Sequence, residues 1–269
     1  MKVALLSTPI CEQSLRTLKY FEKFNEKISL IIIETGQRKH YTERERQFRH
    51  NHDKYNRKFR KYAWYRRTAR FFWDFIPTYL QDMVKNQIVH IPLFRKFSIE
   101  YQARKRGIPV KKVKRHSSSL SKKYLQKYQI KYALLMSSQW LIKDPLLSMD
   151  VLSIINVHPG FLPKHRGLDS LPWSILEGDP IGLTAYILDE GVDSGPILEF
   201  YPMKVKKGDT IGLLQRRMNK LIPKLLLSVL YAMENGEIYP TPQTEKMKLH
   251  RPMTFSELEM AESLLQQRF

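Results

Sequence analysis

Two short stretches of this chain contain the residue types that acyl transfer needs. The first, Asn156 to Gly160, reads Asn-Val-His-Pro-Gly and closes an apolar run, and the second, Asp189 to Gly195, reads Asp-Glu-Gly-Val-Asp-Ser-Gly. A carboxamide donates to a developing oxyanion, an imidazole donates or shuttles a proton, and a carboxylate holds the imidazole's charge and orientation. Together they predict transfer of an acyl group onto an amine without a covalent intermediate.

The spacing within the first stretch supports this hypothesis. Asn156 and His158 are two residues apart, so on an extended segment their side chains point the same way. Ligands of open parallel sheets bind at the carboxyl ends of the strands, where this pair falls. Asp193 is remote in sequence and reaches the pair only through the fold. We therefore predict Asn156, His158 and Asp193 as the catalytic residues.

Both stretches resemble those of the formyltransferase family that uses 10-formyltetrahydrofolate. That family pairs an Asn-x-His-Pro/Gly-x-Leu-Leu-Pro element with a later Asp-x-Gly-x-Asp-x-Gly loop. Here the first element runs from Asn156 to Pro163 and is followed by Arg166-Gly167, and the second runs from Asp189 to Gly195. The resemblance covers residues 132–203 and is absent from about residue 36 to residue 102.

The resemblance implies an enzyme and a division of labour among the three residues. Asn156 donates its amide N–H to the tetrahedral oxyanion. His158 also faces the oxyanion, or passes a proton to the folate nitrogen that leaves. Asp193 keeps His158 charged or oriented, and accepts the amine's proton through a water.

The resemblance also implies the residues that bind the two substrates. Two loops are expected to hold 10-formyltetrahydrofolate, the co-substrate: Gln139, Trp140, Leu141 and Ile142 in one, and Asp189, Glu190, Gly191 and Val192 in the other. Many relatives carry Gly or Met at the position of Gln139, so a bulkier residue there would alter the pocket. Arg166, Gly167 and Asp169 are expected to line the entrance for the acceptor. Asp169 or Ser170 is equally suited to cap the helix that follows.

A metal site is the competing interpretation of the same region. The candidate ligands, His158, His165, Asp169 and Asp193, match no closed zinc set, and no cysteine accompanies them. We therefore expect no metal. The single cysteine, Cys11, excludes an internal disulfide and fits a reducing cytoplasm.

The formal charge of +20 is concentrated in two stretches. Residues 36–71 contain 13 Lys and Arg against 3 Asp and Glu, and residues 95–131 contain 13 against 1. Basic surfaces favour polyanionic partners such as nucleic acid, anionic lipid or a phosphorylated substrate. A solvated basic face with no specific partner fits the same charges.

Apolar periodicity predicts an α/β fold: a Rossmann-like, mostly parallel sheet flanked by helices. The start reads strand, helix and strand, and it lacks a Gly-x-Gly-x-x-Gly fingerprint for a dinucleotide. We divide the chain into a catalytic domain, residues 1–205, and a helical C-terminal appendage, residues 206–269. The catalytic domain is interrupted at about residues 36–102 by a basic, aromatic helical insertion. Further predictions are a short helix within Ser137–Met149, one over Trp173–Glu177, and an antiparallel pair around Asp193.

Within the insertion, bases alternate with aromatics over Tyr41–Leu93, which predicts two or three helices. They either pack on the sheet domain, lie on an anionic membrane surface, or contact RNA such as tRNA. No apolar run is long enough to span a membrane, and the amino terminus does not read as a signal peptide. We expect a cytoplasmic protein, with peripheral membrane contact left open.

The acceptor is the least determined partner. Transfer-RNA formyltransferases of the family carry a carboxy-terminal barrel domain, whereas the residues after Met203 are few and mostly helical. This favours an amino sugar, a nucleotide-linked amine or a carrier-linked amine as acceptor. Two alternatives stay open: methionyl-tRNA held by the basic insertion, and a non-catalytic RNA- or membrane-binding protein on the same fold.

Overall fold

The computed structural model describes residues 1–36, 42–59, 96–245 and 247–268. These residues form a seven-stranded sheet in the spatial order β3-β2-β1-β4-β5-β6-β7. The strands are β1 (Val3–Ser7), β2 (Ile28–Glu34), β3 (Val110–Val113), β4 (Tyr132–Leu135), β5 (Ser153–His158), β6 (Gly182–Ile187) and β7 (Ile197–Pro202). The first five are parallel to one another, and β6 and β7 run antiparallel at one edge.

Helices cover both faces of this sheet. They are α1 (Glu12–Lys23), α2 (Glu43–Phe59), α3 (Ile99–Lys105), α4 (Ser119–Lys127), α5 (Ser170–Glu177), α6 (Ile211–Glu234) and α7 (Phe255–Arg268). The predicted α/β class is therefore confirmed. No helix within the described ranges combines the length and apolar character that a membrane crossing requires.

Alternation along the central strands divides the core into two layers. In β1, Val3 and Leu5 belong to one cluster, and Ala4 and Leu6 to the other, because successive side chains of a strand point to opposite faces. The larger layer contains residues of α1, α5, α6 and α7, and the smaller contains Leu125 of α4. The proposed division of the chain at residue 205 stays a prediction. Both helices beyond it nevertheless share the core of the sheet.

Local capping explains where the later helices begin. The Thr210 side chain accepts from the Leu213 N–H at the start of α6. Thr254 and Glu257 form a reciprocal pair at α7: Glu257 Oε2 accepts from the Thr254 N–H at 2.7 Å, and Thr254 Oγ1 accepts from the Glu257 N–H at 3.3 Å. This reciprocal pair is a capping box.

Two element predictions need correction. Residues 137–149 contain turns and bends but no helix, because hydrogen bonds between side chains and backbone groups hold much of this segment. One example is the Ser117 hydroxyl oxygen, which accepts from the Lys143 N–H at 2.7 Å. Helix α5 starts at Ser170, earlier than the predicted Trp173, since its Pro172 is tolerated in a first turn. The antiparallel pair β6–β7 is found where it was expected.

The first helix of the basic insertion packs against the C-terminal helix. In α2, the Tyr55 hydroxyl donates to Glu262 Oε2 at 2.5 Å, and the Asn51 amide donates to the Met253 carbonyl at 2.8 Å. Burial, followed by the contact with Glu262, raises the pKa of Tyr55. Helix α2 therefore packs, through Asn51 and Tyr55, on the C-terminal segment. The choice among packing, membrane contact and RNA contact for the insertion as a whole stays a prediction. The predicted helices between residues 60 and 95 lie outside the described residues.

Candidate active site

Strand β5 brings the first two predicted residues to the carboxyl end of the parallel strands. His158 is buried and Asn156 is half-buried. The Nδ1 atom of His158 lies 3.4 Å from Oδ2 of Asp193, in the loop between β6 and β7. Residues far apart in sequence therefore meet at one edge of the sheet, as their chemistry predicts.

Tyr186 completes the link between Asn156 and Asp193. It pairs with Asn156 across the antiparallel β5–β6 ladder. The Asn156 amide donates to the Tyr186 hydroxyl at 3.1 Å, and that hydroxyl donates to Asp193 Oδ1 at 2.8 Å. Burial, and then the charge of Asp193, raises the pKa of Tyr186 and keeps it a neutral donor. The motifs do not reveal this residue, because the strand register that places it cannot be read from them.

The second ring nitrogen of His158 faces a backbone carbonyl. Nε2 lies 2.7 Å from the oxygen of His165. Because a carbonyl only accepts, Nε2 carries a proton. Nδ1 is therefore the nitrogen that exchanges a proton or a hydrogen bond with Asp193. The ring is fixed between these two partners, which sets its orientation.

Glycines allow the loop after β5 to approach this ring. A Cβ on Gly160 would lie 2.7 Å from Ser170 Cβ and 3.0 Å from His158 Nε2. Gly167 has a φ of +96°, and its N–H donates to Asp193 Oδ2 at 2.9 Å. Arg166 donates from Nε and Nη2 to the Val192 carbonyl at 3.0 and 2.8 Å. The loop therefore braces both the imidazole and the Asp193 loop.

A cavity of about 270 Å³ opens beside this network. Asn156, Tyr186 and Asp193 lie in its wall. The remaining lining residues come from the segment after β4 and from the Asp193 loop: Leu135, Met136, Ser137, Ser138, Trp140, Leu141, Ile142, Leu188, Asp189, Gly191 and Val192. The cavity thus has apolar walls and a polar end, which suits a flat heterocycle whose reactive atom points at the polar end.

A family model for formyl transferases matches residues 85–230, more than half of the chain. The chain belongs to this family. The methionyl-tRNA formyltransferase of Synechocystis sp. is 31% identical over 151 residues, 55% of this chain and 45% of that protein. The one from Pelobacter propionicus is 32% identical over 114 residues, 42% of this chain and 36% of that protein. The chain thus matches less than half the length of these curated relatives.

Solved structures share the fold over most of this formyl transferase chain. A 4-N formyltransferase from Francisella tularensis has a TM-score of 0.55 at 14% identity, with 99% of this chain and 87% of that chain covered. Glycinamide ribonucleotide transformylase 1 from Symbiobacterium toebii has a TM-score of 0.54 at 16% identity, with 90% and 94% covered. The predicted family and fold class are confirmed.

Only some of the predicted folate-binding residues lie in the cavity wall. Trp140, Leu141, Ile142, Asp189, Gly191 and Val192 lie in the cavity wall, whereas Gln139 and Glu190 are not among its lining residues. Gln139 is half-buried, and its backbone N–H donates to Glu34 Oε2 at 2.5 Å. The concern that its bulk alters the pocket is therefore not supported by its position.

The predicted acceptor residues mainly contact the protein itself. Asp169 is the clearest case, since its side chain is 2% exposed. Oδ1 lies 2.5 Å from His52 Nε2, and Oδ2 accepts from the Met253 N–H at 2.9 Å. Asp169 is the N-cap residue of α5 by position but makes no side-chain cap bond. We correct its role: the carboxylate ties α2 and the C-terminal segment to α5 and does not face an acceptor.

The residues weighed as a metal set do not converge. His158 and Asp193 meet, but His165 Nε2 instead lies 2.8 Å from Asp179 Oδ2, and Asp169 is engaged as described above. That set of four is therefore no metal site.

Glu34, at the carboxyl end of β2, is the second residue that the sequence reasoning missed. It is 1% exposed. Its carboxylate accepts from the His116 N–H at 2.8 Å, the Ser138 hydroxyl at 3.0 Å and the Gln139 N–H. This one buried group anchors the segment that forms the apolar cavity wall. A signal was available, because the charge ends an apolar strand at the ligand-binding edge of the sheet.

Proposed function

We propose that this chain transfers a formyl group from 10-formyltetrahydrofolate to the primary amine of an acceptor. The observation that carries the proposal is that Asn156 and Asp193 lie in the wall at the polar end of the cavity, while His158 lies next to Asp193, with Nδ1 3.4 Å from Oδ2. Family membership supports it, since the matching model describes formyl transferases.

Each residue has a role that its contacts support. As the amine nitrogen forms a bond to the formyl carbon, Asn156 donates to the oxyanion, a contribution of about 2.7–4 kcal/mol for one such donor. Asp193 takes the proton of the attacking amine through a water. When the bond to the folate nitrogen breaks, that nitrogen takes up the proton shared by Asp193, which lines the cavity, and His158 Nδ1, which lies 3.4 Å from Oδ2. The balance is one formamide and one tetrahydrofolate.

The cavity supports a folate as the donor. Apolar residues suit the faces of a pterin, and the backbone of residues 140–142 offers donors and acceptors to its polar edge. Arg115 lies with its guanidinium carbon 4.8 Å from the centre of the Trp140 ring. The exposed, positively charged Arg115 side chain beside the cavity wall suits the glutamate carboxylates of a folate.

For the acceptor, we propose an amino sugar or a nucleotide-linked amine. The two basic stretches favour an anionic molecule, which a nucleotide or a carrier phosphate supplies. Methionyl-tRNA is the second candidate, because the sequence relatives quoted above are methionyl-tRNA formyltransferases and tRNA is also a polyanion. In both cases Arg166 and Gly167 hold the loop that faces the incoming amine.

The test measures tetrahydrofolate release from 10-formyltetrahydrofolate with a panel of amino sugars, nucleotide-linked amines and methionyl-tRNA. We expect one class to support turnover, and Asn156→Ala and His158→Ala to lose about 10²–10⁴ in rate. Asn235→Ala, at the exposed C-cap of α6, and His50→Ala, at an exposed position of α2, are matched controls. Retention of control-like turnover by both active-site variants would refute the proposed chemistry.

Binding experiments separate the remaining alternatives. If tRNA is the acceptor, its affinity should fall steeply with salt, as expected when Lys and Arg displace counterions from phosphates. Co-sedimentation with anionic vesicles tests the membrane hypothesis. Tight RNA or vesicle binding with no turnover on any amine would favour the non-catalytic alternative.

A further inference from the structure

A second cluster of chemistry-bearing side chains lies behind the candidate active site. It consists of His165 in the loop after β5, Glu177 in the last turn of α5, and His250 in the segment before α7. One ligand atom from each lies within 4.8 Å of the other two. Residues this far apart in sequence form no motif, which is why the sequence does not reveal them.

The hydrogen-bond partner of His165 is of the kind that metal-binding histidines have. It is fully buried, and its Nε2 lies 2.8 Å from Asp179 Oδ2. The carboxylate accepts, so Nε2 carries the proton and Nδ1 keeps its lone pair in the neutral ring. Nδ1 is buried and has no hydrogen-bond partner within the described residues. Metal-bound histidines commonly donate their second nitrogen to such a carboxylate.

His250 is fixed through its backbone and by ring stacking. It is half-buried, and its backbone N–H donates to the Arg166 carbonyl at 2.9 Å. Its ring centre lies 5.1 Å from that of His165, and Trp173 stacks on it at 4.9 Å.

We propose that His165, Glu177 and His250 form a binding site for a divalent transition metal of the zinc type. Two imidazoles and one carboxylate are a known zinc ligand set, with water in the fourth position. Glu177 is exposed, so the fourth position is open to solvent. Zinc–nitrogen bonds of about 2.0–2.1 Å require the three ligand atoms to close around the ion.

Lys164 opposes the metal. Its Nζ lies 2.7 Å from Asp179 Oδ2 and 3.7 Å from Glu177 Oε2. The ammonium therefore competes with the ion for the Glu177 carboxylate, and it also contacts the Asp179 carboxylate that holds His165. This contact predicts the direction of one variant: removal of the lysine charge strengthens metal binding.

The site is coupled to the candidate active site through one short loop. His165 supplies a metal ligand and, from its carbonyl, the partner of His158 Nε2. Two residues later, Gly167 forms a bridge with His250 and donates to Asp193. A bound ion therefore fixes the loop that orients His158 and Asp193, and its role is to stabilise the structure of the active site.

The test uses the full chain without a histidine tag, stripped with a chelator and titrated with Zn²⁺ by calorimetry. We expect one ion per chain and a melting temperature that rises with Zn²⁺ concentration. Asp179→Asn, which alters the anchor of His165, should weaken binding by about 10–100-fold. Glu177→Gln and His250→Asn should each weaken it at least as much. His50→Asn, at an exposed position of α2, is the matched control and should leave affinity unchanged.

Two further results decide the case. Lys164→Met should bind Zn²⁺ more tightly than the parent, an outcome that a purely structural role of the cluster does not produce. Glu177→Gln changes an exposed side chain, so it remains informative even where His250→Asn does not fold. No saturable binding near one equivalent, or equal affinity in the parent and Glu177→Gln, overturns the site.

Discussion

The two walls of the cavity are held in different ways. In the apolar wall, residues 135–142, the Leu6 carbonyl accepts from the backbone N–H groups of Met136 and Ser137. The next turn, at Ser138 and Gln139, is held by the buried carboxylate of Glu34, which is remote in sequence. The polar wall, residues 186–193, is held by several groups. Arg166 binds the Val192 carbonyl, Gly167 and Tyr186 bind the Asp193 carboxylate, and Gln243 donates to the carbonyls of Asp193 and Gly195.

This difference separates the groups that position the cavity walls from the groups that we propose to react. Several anchors hold the polar wall, so the loss of one anchor leaves the others in place. In contrast, the Glu34 carboxylate alone accepts from three donors, two of them at Ser138 and Gln139 in the apolar wall and one at His116. A buried donor left without a partner costs about 1–3 kcal/mol. Only Asp193 serves both as an anchor and as a proposed reacting group.

Asp193→Asn should produce the largest effect. The variant keeps the shape of the side chain but loses the charge that faces His158 Nδ1 at 3.4 Å. We expect the turnover rate to fall by about 10²–10⁴-fold, with tetrahydrofolate affinity changed far less. Stopped-flow rates and quenching of the fluorescence of Trp140, which lines the cavity, separate the two quantities.

Asp150→Asn is the control for this variant, since Asp150 is exposed and is not among the residues that line the cavity. Equal loss of folate affinity and of turnover in Asp193→Asn would contradict the comparison. That result would mean that Asp193 acts mainly as an anchor.

Glu34→Gln should have the next largest effect, with the opposite profile. The glutamine amide places its own donors where Glu34 now accepts three hydrogen bonds. We expect the free energy of unfolding to fall by about 1–3 kcal/mol and folate affinity to weaken, while the turnover rate of the saturated enzyme changes little.

Urea unfolding and fluorescence titration measure these quantities. Glu12→Gln is the control, because its exposed pair with Arg16 is an i,i+4 contact worth about 0.3–0.5 kcal/mol. A loss in stability no larger than that of Glu12→Gln would show that the contacts of Met136 and Ser137 hold the apolar wall without the Glu34 carboxylate.

The same contrast explains what could be predicted from the sequence. Asn156 and His158 were predictable because their spacing follows strand periodicity, and Asp193 because its loop belongs to the family pattern. Tyr186 depends on the register between β5 and β6, and a shift of one residue would have turned it to the other face. Glu34 and the loop that replaces the predicted helix within 137–149 depend on one another, because the carboxylate satisfies that loop's donors across the sheet edge.

Tyr186→Phe tests the same comparison of the two walls, with a smaller expected effect on turnover. The variant removes one donor to Asp193 and the acceptor of the Asn156 amide, whereas Gly167 still donates to Asp193. A hydrogen bond of this kind contributes about 0.5–1.5 kcal/mol, so we expect turnover to fall by about tenfold or less. A loss as large as that of Asp193→Asn would mean that the polar wall does not share its anchoring.

The smallest effect is expected in alkaline solution. Burial and the charge of Asp193 raise the pKa of Tyr186 above the value of about 10 that it has in the unfolded chain. Its contribution to stability is therefore complete below about pH 10 and is lost as the pH rises toward the folded value, because only the unfolded chain releases the proton. Since phenylalanine cannot ionise, urea unfolding of Tyr186→Phe should lose stability less steeply above about pH 10, by up to 1.36 kcal/mol per pH unit. Tyr55 has a raised pKa in both proteins and cancels in the difference. Parallel pH profiles for the parent and Tyr186→Phe would show that Tyr186 ionises without leaving the fold, and that the polar wall tolerates two adjacent negative charges.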